Sequence, residues 1–249
     1  QVGGGLLAAP RRKLPTGGTE LTGHRDYAPG DDYRQVDWNL CARHDELLVK
    51  QFQGESESPV YLLLDGSRSM SLGRPAKFDV ARQAVAALAY VALAELERVE
   101  VLVFGDRFLA GLGPLRDKAR ILKLVRFLET LSPTAVRTDL AAVAEGFVSR
   151  RQRRGLAVVV SDLCDRRGFA RGLDVLRRGG YGPRVVHLYD PREAEPGTLG
   201  DSELVDVETG ASWQVTLTRK HVTRYRALCA EFHDSVPSYC AGRGIGCAQ

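Results

Sequence analysis

The stretch Tyr61-Leu62-Leu63-Leu64-Asp65-Gly66-Ser67-Arg68-Ser69-Met70 decides the reading of this chain. A short apolar run ends on an aspartate, and two serines follow at alternate positions. The run reads as a strand buried on both faces, the habit of parallel sheets. A second run, Val158-Val159-Val160-Ser161-Asp162, repeats the device about a hundred positions later. Between them stands Arg137-Thr138-Asp139. Open α/β sheets place their sites outside the carboxyl ends of strands, where strand order reverses, and both aspartates fall at such ends.

Asp65, Ser67, Ser69, Thr138 and Asp162 offer only oxygen donors. Hard oxygen ligands suit Mg²⁺, Mn²⁺ or Ca²⁺ and not Zn²⁺ or copper. Two carboxylates balance a divalent charge and three hydroxyls are neutral donors. Asp and Ser after a strand also serve as turn residues and helix caps, so Asp65-x-Ser67-x-Ser69 alone is weak. The addition of Thr138 and Asp162, in that chain order, makes it a metal-site constellation. It resembles the metal-ion-dependent adhesion site of von Willebrand factor A domains. The resemblance implies direct contact from the two serines and the threonine, largely water-mediated contact from the two aspartates, and one vertex open to a partner's carboxylate.

The pattern excludes several enzymes. Phosphoryl-transfer hydrolases of another α/β class open with D-x-D-x-T after a strand; here Ser67 replaces their second carboxylate, the general acid. There is no G-x-S-x-G elbow and no G-x-x-x-x-G-K-[ST] phosphate loop. A metal-dependent hydrolase would still need a general base, for which His24, His44, His187, His221 and His233 are the histidine candidates. A scaffold with an unfilled metal site is the remaining alternative.

From 58 to 190 apolar strands alternate with amphipathic segments near 76–97, 117–130, 139–150 and 169–178. Gly105-Asp106 suggests a hairpin between Val99–Phe104 and Arg107–Leu112. The expected fold is α/β, a doubly wound, mostly parallel sheet with one antiparallel strand. A small C-terminal hairpin, Leu204–Glu208 with Trp213–Thr216, and a helix over Thr218–Ser235 should follow, with Pro237 ending or kinking the helix. Ile245-Gly246-Cys247 suggests a last strand. Residues 1–19 read as a flexible N-terminal segment, 20–57 as an appendage packed on the main domain, and 58–249 as that domain with its C-terminal extension.

Bulk numbers agree with a globular protein: 249 residues, 44% hydrophobic, 27% charged, net charge +4. No apolar run is long enough to span a membrane. No signal-peptide pattern is read in Gln1–Ala9, and the lack of an opening Met suggests a longer parent. Five cysteines without C-x-x-C spacing point to a reducing compartment, hence a cytoplasmic location. Arginine clusters at 150–154, 166–167 and 177–178 lack interleaved aromatics, so they read as solvated helix ends and not a nucleic-acid groove.

Residues 20–57 carry a more specific resemblance. Tyr27-Ala28-Pro29-Gly30-Asp31-Asp32-Tyr33-Arg34-Gln35-Val36-Asp37-Trp38, then Ala42-Arg43, then Leu47–Phe52, are similar to the signature of a bacterial family known as domain of unknown function 58. Tyr189-Asp190-Pro191-Arg192-Glu193, Val205–Gly210, Arg224-Tyr225 and Gly244-Ile245-Gly246 match its tail. Where family members often have Gly-Gly before the metal threonine, this chain has Val136-Arg137, which stiffens the loop and adds a cation. The resemblance implies a non-enzymatic, metal-dependent interaction module and, through the MoxR-type AAA+ ATPases commonly encoded beside such proteins, an adaptor role. Arg68 and Arg137 flank the metal ligands and are candidates to steer an acidic partner. Asp31, Asp37 and Arg43 are candidates for a second docking surface. Their bland reading is an ion-pair and capping network with Asp32 and Arg34, around a core Trp38.

Overall fold

The structure is a computed structural model that describes residues 20–27, 36–44, 46–53, 58–95, 97–150, 152–195, 197 and 199–249. The chain divides into two compact units, one from residue 58 onward and one between residues 10 and 57. The expected flexible segment 1–19 lies outside the described residues.

In the smaller unit, β1 (Glu20–Asp26) pairs antiparallel with β2 (Leu48–Gln53), and α1 (Trp38–His44) lies between them in sequence. Val36 bridges to Val49, and both are buried. Asp37 opens α1, accepting from the backbone N–H of Leu40 through its side chain (3.3 Å). Trp38, expected in a core, is 63% exposed. As the first residue of α1 it follows the capping Asp37, while the apolar contacts of this unit fall on Val36 and Val49.

The larger unit is built on six strands in the order β10-β7-β6-β3-β4-β5. These are β3 (Val60–Asp65), β4 (Val99–Phe104), β5 (Phe108–Leu115), β6 (Leu156–Ser161), β7 (Gly182–His187) and β10 (Gly246–Ala248). All neighbours are parallel except β4 and β5. This is the doubly wound, mostly parallel sheet expected. Every residue of β3 and β6 is buried, as continuous apolar runs in a two-sided sheet require. Along β3, Val60, Leu62 and Leu64 point into one core with α2 (Lys77–Ala94) and α3 (Ile121–Thr130). Tyr61 and Leu63 point into the other, with α4 (Leu140–Ser149), α5 (Phe169–Arg178) and the end of α6 (Arg219–Ala241). The chain leaves β3 toward β4 on one side and later returns as β6 on the other. Strand order therefore reverses at β3, and a crevice opens beyond its carboxyl end.

Two C-terminal expectations need correction. The hairpin consists of β8 (Gly200–Val205) and β9 (Ser212–Leu217), so Glu208 sits in the turn and not in a strand. Asp206 makes the difference: its side chain accepts from the backbone N–H of Glu208 (2.9 Å) and of Thr209 (3.1 Å), which closes a turn before the strand can continue. Nor does α6 stop at Pro237. It runs on to Ala241, because Val236 and Cys240 are fully buried in the second core. Proline removes the N–H that would bond the carbonyl of His233. That carbonyl instead accepts from the Gln249 side-chain amide (3.0 Å).

Phe147 centres the second core, edge-on to Tyr61 (4.9 Å between ring centroids) and tilted against Tyr181 (4.8 Å). Phe147→Ala is expected to lower unfolding free energy by about 3–5 kcal/mol. Leu122→Ala, at a position 65% exposed, should stay within about 0.5 kcal/mol. Urea denaturation of the two variants checks this.

Candidate metal centre

Three loops meet beyond the carboxyl ends of β3 and β6. The first, after β3, carries Asp65, Ser67 and Ser69, all buried. The backbone N–H of Ser67 donates to Asp65 Oδ1 (2.9 Å), and the Ser67 and Ser69 hydroxyls lie 3.0 Å apart. The second loop precedes α4 and carries Thr138. Backbone bonds tie it to the first: Ala135 N to the Gly66 carbonyl and Arg68 N to the Ala135 carbonyl, each 2.9 Å. Gly105 lets it approach, since a Cβ there would stand 2.4 Å from the Ala135 Cβ. The third loop begins at Asp162, 2% exposed. Leu163 follows with φ 57°, a left-handed conformation that costs a leucine energy and marks a constrained turn. Asp165 Oδ2 accepts from Leu140 N (2.9 Å), joining the third loop to the start of α4.

All five sequence-derived metal candidates thus belong to one interlocked loop cluster. Thr138, half-buried, lines an open cavity of about 410 Å³ together with Arg137, Arg166, Arg167 and Glu208. Arg166 and Arg167 were expected at a solvated helix end. They lie instead ahead of α5, where Arg166 pairs with Asp206 (2.5 Å) and Arg167 with Asp139 (2.9 Å). Arg68 is exposed and donates through Nη1 to the Glu208 carbonyl (3.3 Å). The other suggested contact residues belong to the smaller unit. Asp37 accepts from His24 (3.1 Å) and stands 3.6 Å from Lys50, and Arg43 is exposed on α1. Asp31, with Asp32 and Arg34, lies outside the described residues.

Four neighbours are not assigned to this site by the sequence reading, which names His187 only among the histidine candidates for a general base. Ser161 Oγ donates to Asp65 Oδ2 (2.5 Å) and accepts from Leu163 N (2.8 Å). Lys77, at the start of α2 and 5% exposed, places Nζ 2.9 Å from Asp162 Oδ2 and 2.8 Å from Glu193. His187 ends β7 in register with Ser161 and is buried. Burial, aided by His233, pushes its pKa down to about 4, so it is neutral at pH 7. Glu208 is the fourth. Only the apolar run before Ser161 gave a local signal; the other three meet the site across the fold.

The electrostatics test whether a hard cation fits. Asp65 is wholly buried; desolvation first, then the charge of Asp162, push its pKa up to about 7. Burial alone would lower the Lys77 pKa, but Asp162 and Glu193 outweigh it and hold the ammonium charged. Asp162 and Glu193 share this one ammonium, which leaves one negative charge, and Asp65 adds a second only when it ionises. Ser67, Ser69 and Thr138 add neutral oxygens. Among the described residues no three His, Cys, Asp or Glu side chains cluster closely enough to chelate an ion alone. The set fits a divalent ion held by hydroxyls, with the carboxylates acting through water, as Mg²⁺ chemistry prefers.

A doubly wound, mostly parallel α/β sheet, with the five sequence-derived candidates at its switch point, defines the fold class of this protein. The chain belongs to the family described as protein of unknown function DUF58, whose profile matches residues 23–234. Uncharacterized proteins of Mycobacterium tuberculosis and Mycobacterium bovis are 28% identical over 201 residues, 79% of this chain. The chain spans 63% of the length of these relatives. Among solved structures, a conserved hypothetical protein BatB from Bacteroides thetaiotaomicron aligns with TM-score 0.45 and 15% identity, over 68% of this chain and 87% of its own. Manganese-loaded TRAP protein from Plasmodium vivax aligns with TM-score 0.40 and 22% identity, over 53% and 57%.

Two outcomes follow from the charges. Lys77→Met strips Asp162 of its buried counter-ion and is expected to cost about 3–5 kcal/mol in urea denaturation without metal. Asp65 has a folded pKa above its usual 3.8. The metal-free fold therefore holds the extra proton, and this contribution to stability is lost as pH rises from about 4 through about 7. Divalent binding must release that proton, so Mg²⁺ affinity should rise with pH up to about 7 and then level off. Calorimetric titration between pH 5.5 and 8 checks this; an affinity independent of pH would contradict it.

Proposed function

We propose that this chain is a non-enzymatic, metal-dependent protein-interaction module, located in the cytoplasm, that works as an adaptor for a MoxR-type AAA+ ATPase. One observation carries the metal-dependent reading: Asp65, Ser67, Ser69 and Asp162 are buried together beyond β3 and β6, and Thr138, on a loop tied to theirs, lines an open cavity with Arg137, Arg166, Arg167 and four carboxylates. Ser67, Ser69 and Thr138 would hold Mg²⁺ directly, and Asp65 and Asp162 through water. The ion would supply a directional electrophilic contact for one anionic oxygen of a partner. Arg68, Arg137, Arg166 and Arg167 favour the approach of an acidic surface. The ATPase assignment rests on family resemblance. Asp37 and Arg43 in the smaller unit offer a second contact surface. No helix among the described residues is long and apolar enough to cross a membrane.

Pull-down of a MoxR-type ATPase with Mg²⁺, with EDTA and with Ser67→Ala or Thr138→Ala tests the proposal. Capture is expected with Mg²⁺ alone and should weaken as salt rises. Equal capture in every arm would move the partnership to another surface. Purified protein should hydrolyse neither ATP nor phosphoesters above background; turnover abolished by Asp65→Ala would favour a hydrolase.

A further inference from the structure

The β8–β9 hairpin forms a two-stranded ladder of its own, outside the central sheet, and its strands are mostly exposed. Its turn behaves otherwise. Glu208 is 8% exposed, and its Oε1 is buried without a hydrogen-bond partner. A buried carboxylate oxygen left without a partner is costly and calls for a cation. The turn is shaped to present this side chain. Asp206 caps the N–H groups of Glu208 and Thr209, the Asp206 carbonyl accepts from Gly210 N (2.8 Å), and Gly210 takes φ 73°. Two clamps fix the turn to the walls of the metal centre. Arg166, four residues after Asp162, grips Asp206 (2.5 Å), and Arg68, between Ser67 and Ser69, donates to the Glu208 carbonyl (3.3 Å). These two guanidinium groups bond to Asp206 and to the Glu208 main chain, while the charge of Arg166 still acts on the Glu208 carboxyl. Glu208 lines the same cavity as Thr138. Its pKa is raised, first by burial, then by Asp206 and Asp162, so its carboxyl lies in the field of the metal aspartate.

We propose that Glu208 is an internal ligand of this metal centre: its carboxylate takes the vertex that a partner's acidic side chain would occupy, so the hairpin acts as a built-in competitor that a partner must displace. The proposal rests on the metal-dependent reading above and adds a residue to it. It also gives the hairpin a role that the sheet does not require.

Mn²⁺ alone serves as the probe, followed by electron paramagnetic resonance for affinity and by water-proton relaxation for the number of waters on the bound ion. Wild type, Glu208→Gln and Asp65→Ala are compared, with circular dichroism to confirm folding. Should Glu208→Gln not fold, Glu208→Asp, which withdraws the carboxylate by one methylene, provides the same readout. The expected result is one Mn²⁺ bound by wild type and none by Asp65→Ala. Glu208→Gln should bind about tenfold more weakly and carry one additional exchanging water. If Asp65→Ala loses Mn²⁺ while Glu208→Gln matches wild type in affinity and hydration, the Glu208 proposal is overturned and the metal centre stands. If wild type binds no Mn²⁺, or Asp65→Ala binds as wild type does, the metal centre itself falls and Glu208 with it.

Discussion

Asp65 ends β3 and Asp162 directly follows its parallel neighbour β6, and both carboxylates are almost completely withdrawn from water. Like charges this close in a low-dielectric interior repel strongly, and each also loses its hydration. The surroundings are organised around that problem. Ser161 and the Ser67 backbone donate to Asp65, while Lys77 is brought in from the first turn of α2 to meet Asp162. Glu193 on the far side of Lys77 then adds a negative charge of its own. The compensation is incomplete by one charge, and by two once Asp65 ionises, a shortfall that a cation would relieve. A pocket fully neutralised by side chains would have no reason to take up a cation.

The rigid part of this arrangement comes from the sheet. Val60, Leu62 and Leu64 face one core, and Tyr61 and Leu63 face the other, so register on β3 cannot slip without exposing apolar side chains. The aspartate at the strand end is thereby set by packing that involves no metal. The loops beyond it are held by backbone bonds through Ala135 and by Asp165 at the start of α4. The loop cluster is therefore preorganised, and its oxygens would cost little to assemble around an ion.

The sheet and the gathering of Asp65, Ser67, Ser69, Thr138 and Asp162 at its strand ends were legible in the sequence because each has a local signature: an apolar run, an acidic strand end, hydroxyls at alternate positions. Lys77, Glu193 and Glu208 have none. Lys77 meets Asp162 across 85 residues and Glu193 across 116, separations at which spacing carries no information. The same reason explains Pro237. The rule that proline ends a helix describes the lost N–H, and the rescue of the His233 carbonyl by Gln249 is a tertiary event. Trp38 misled in the opposite way: aromatic bulk suggests burial, but a residue directly after an N-capping aspartate faces wherever the cap directs it. The C-terminal hairpin was recognised as a pair of strands and shifted in register, because alternation in Leu204–Glu208 looks like strand until Asp206 closes the turn.

That shift matters beyond bookkeeping. Read as a strand residue, Glu208 is one alternate position among many; read as a turn residue held by Asp206, it is an acidic side chain aimed into a cavity. The hairpin and the metal loops are joined through Arg166 and Arg68, and both arginines lie next to predicted ligands in sequence. A partner that draws either guanidinium to its own carboxylates would loosen the turn at the moment it offers an oxygen to the cation. Recognition of an acidic surface and release of the internal carboxylate would then be one event. Charge attraction at the rim would so set the selectivity, and the metal vertex the geometry, of a single docking step.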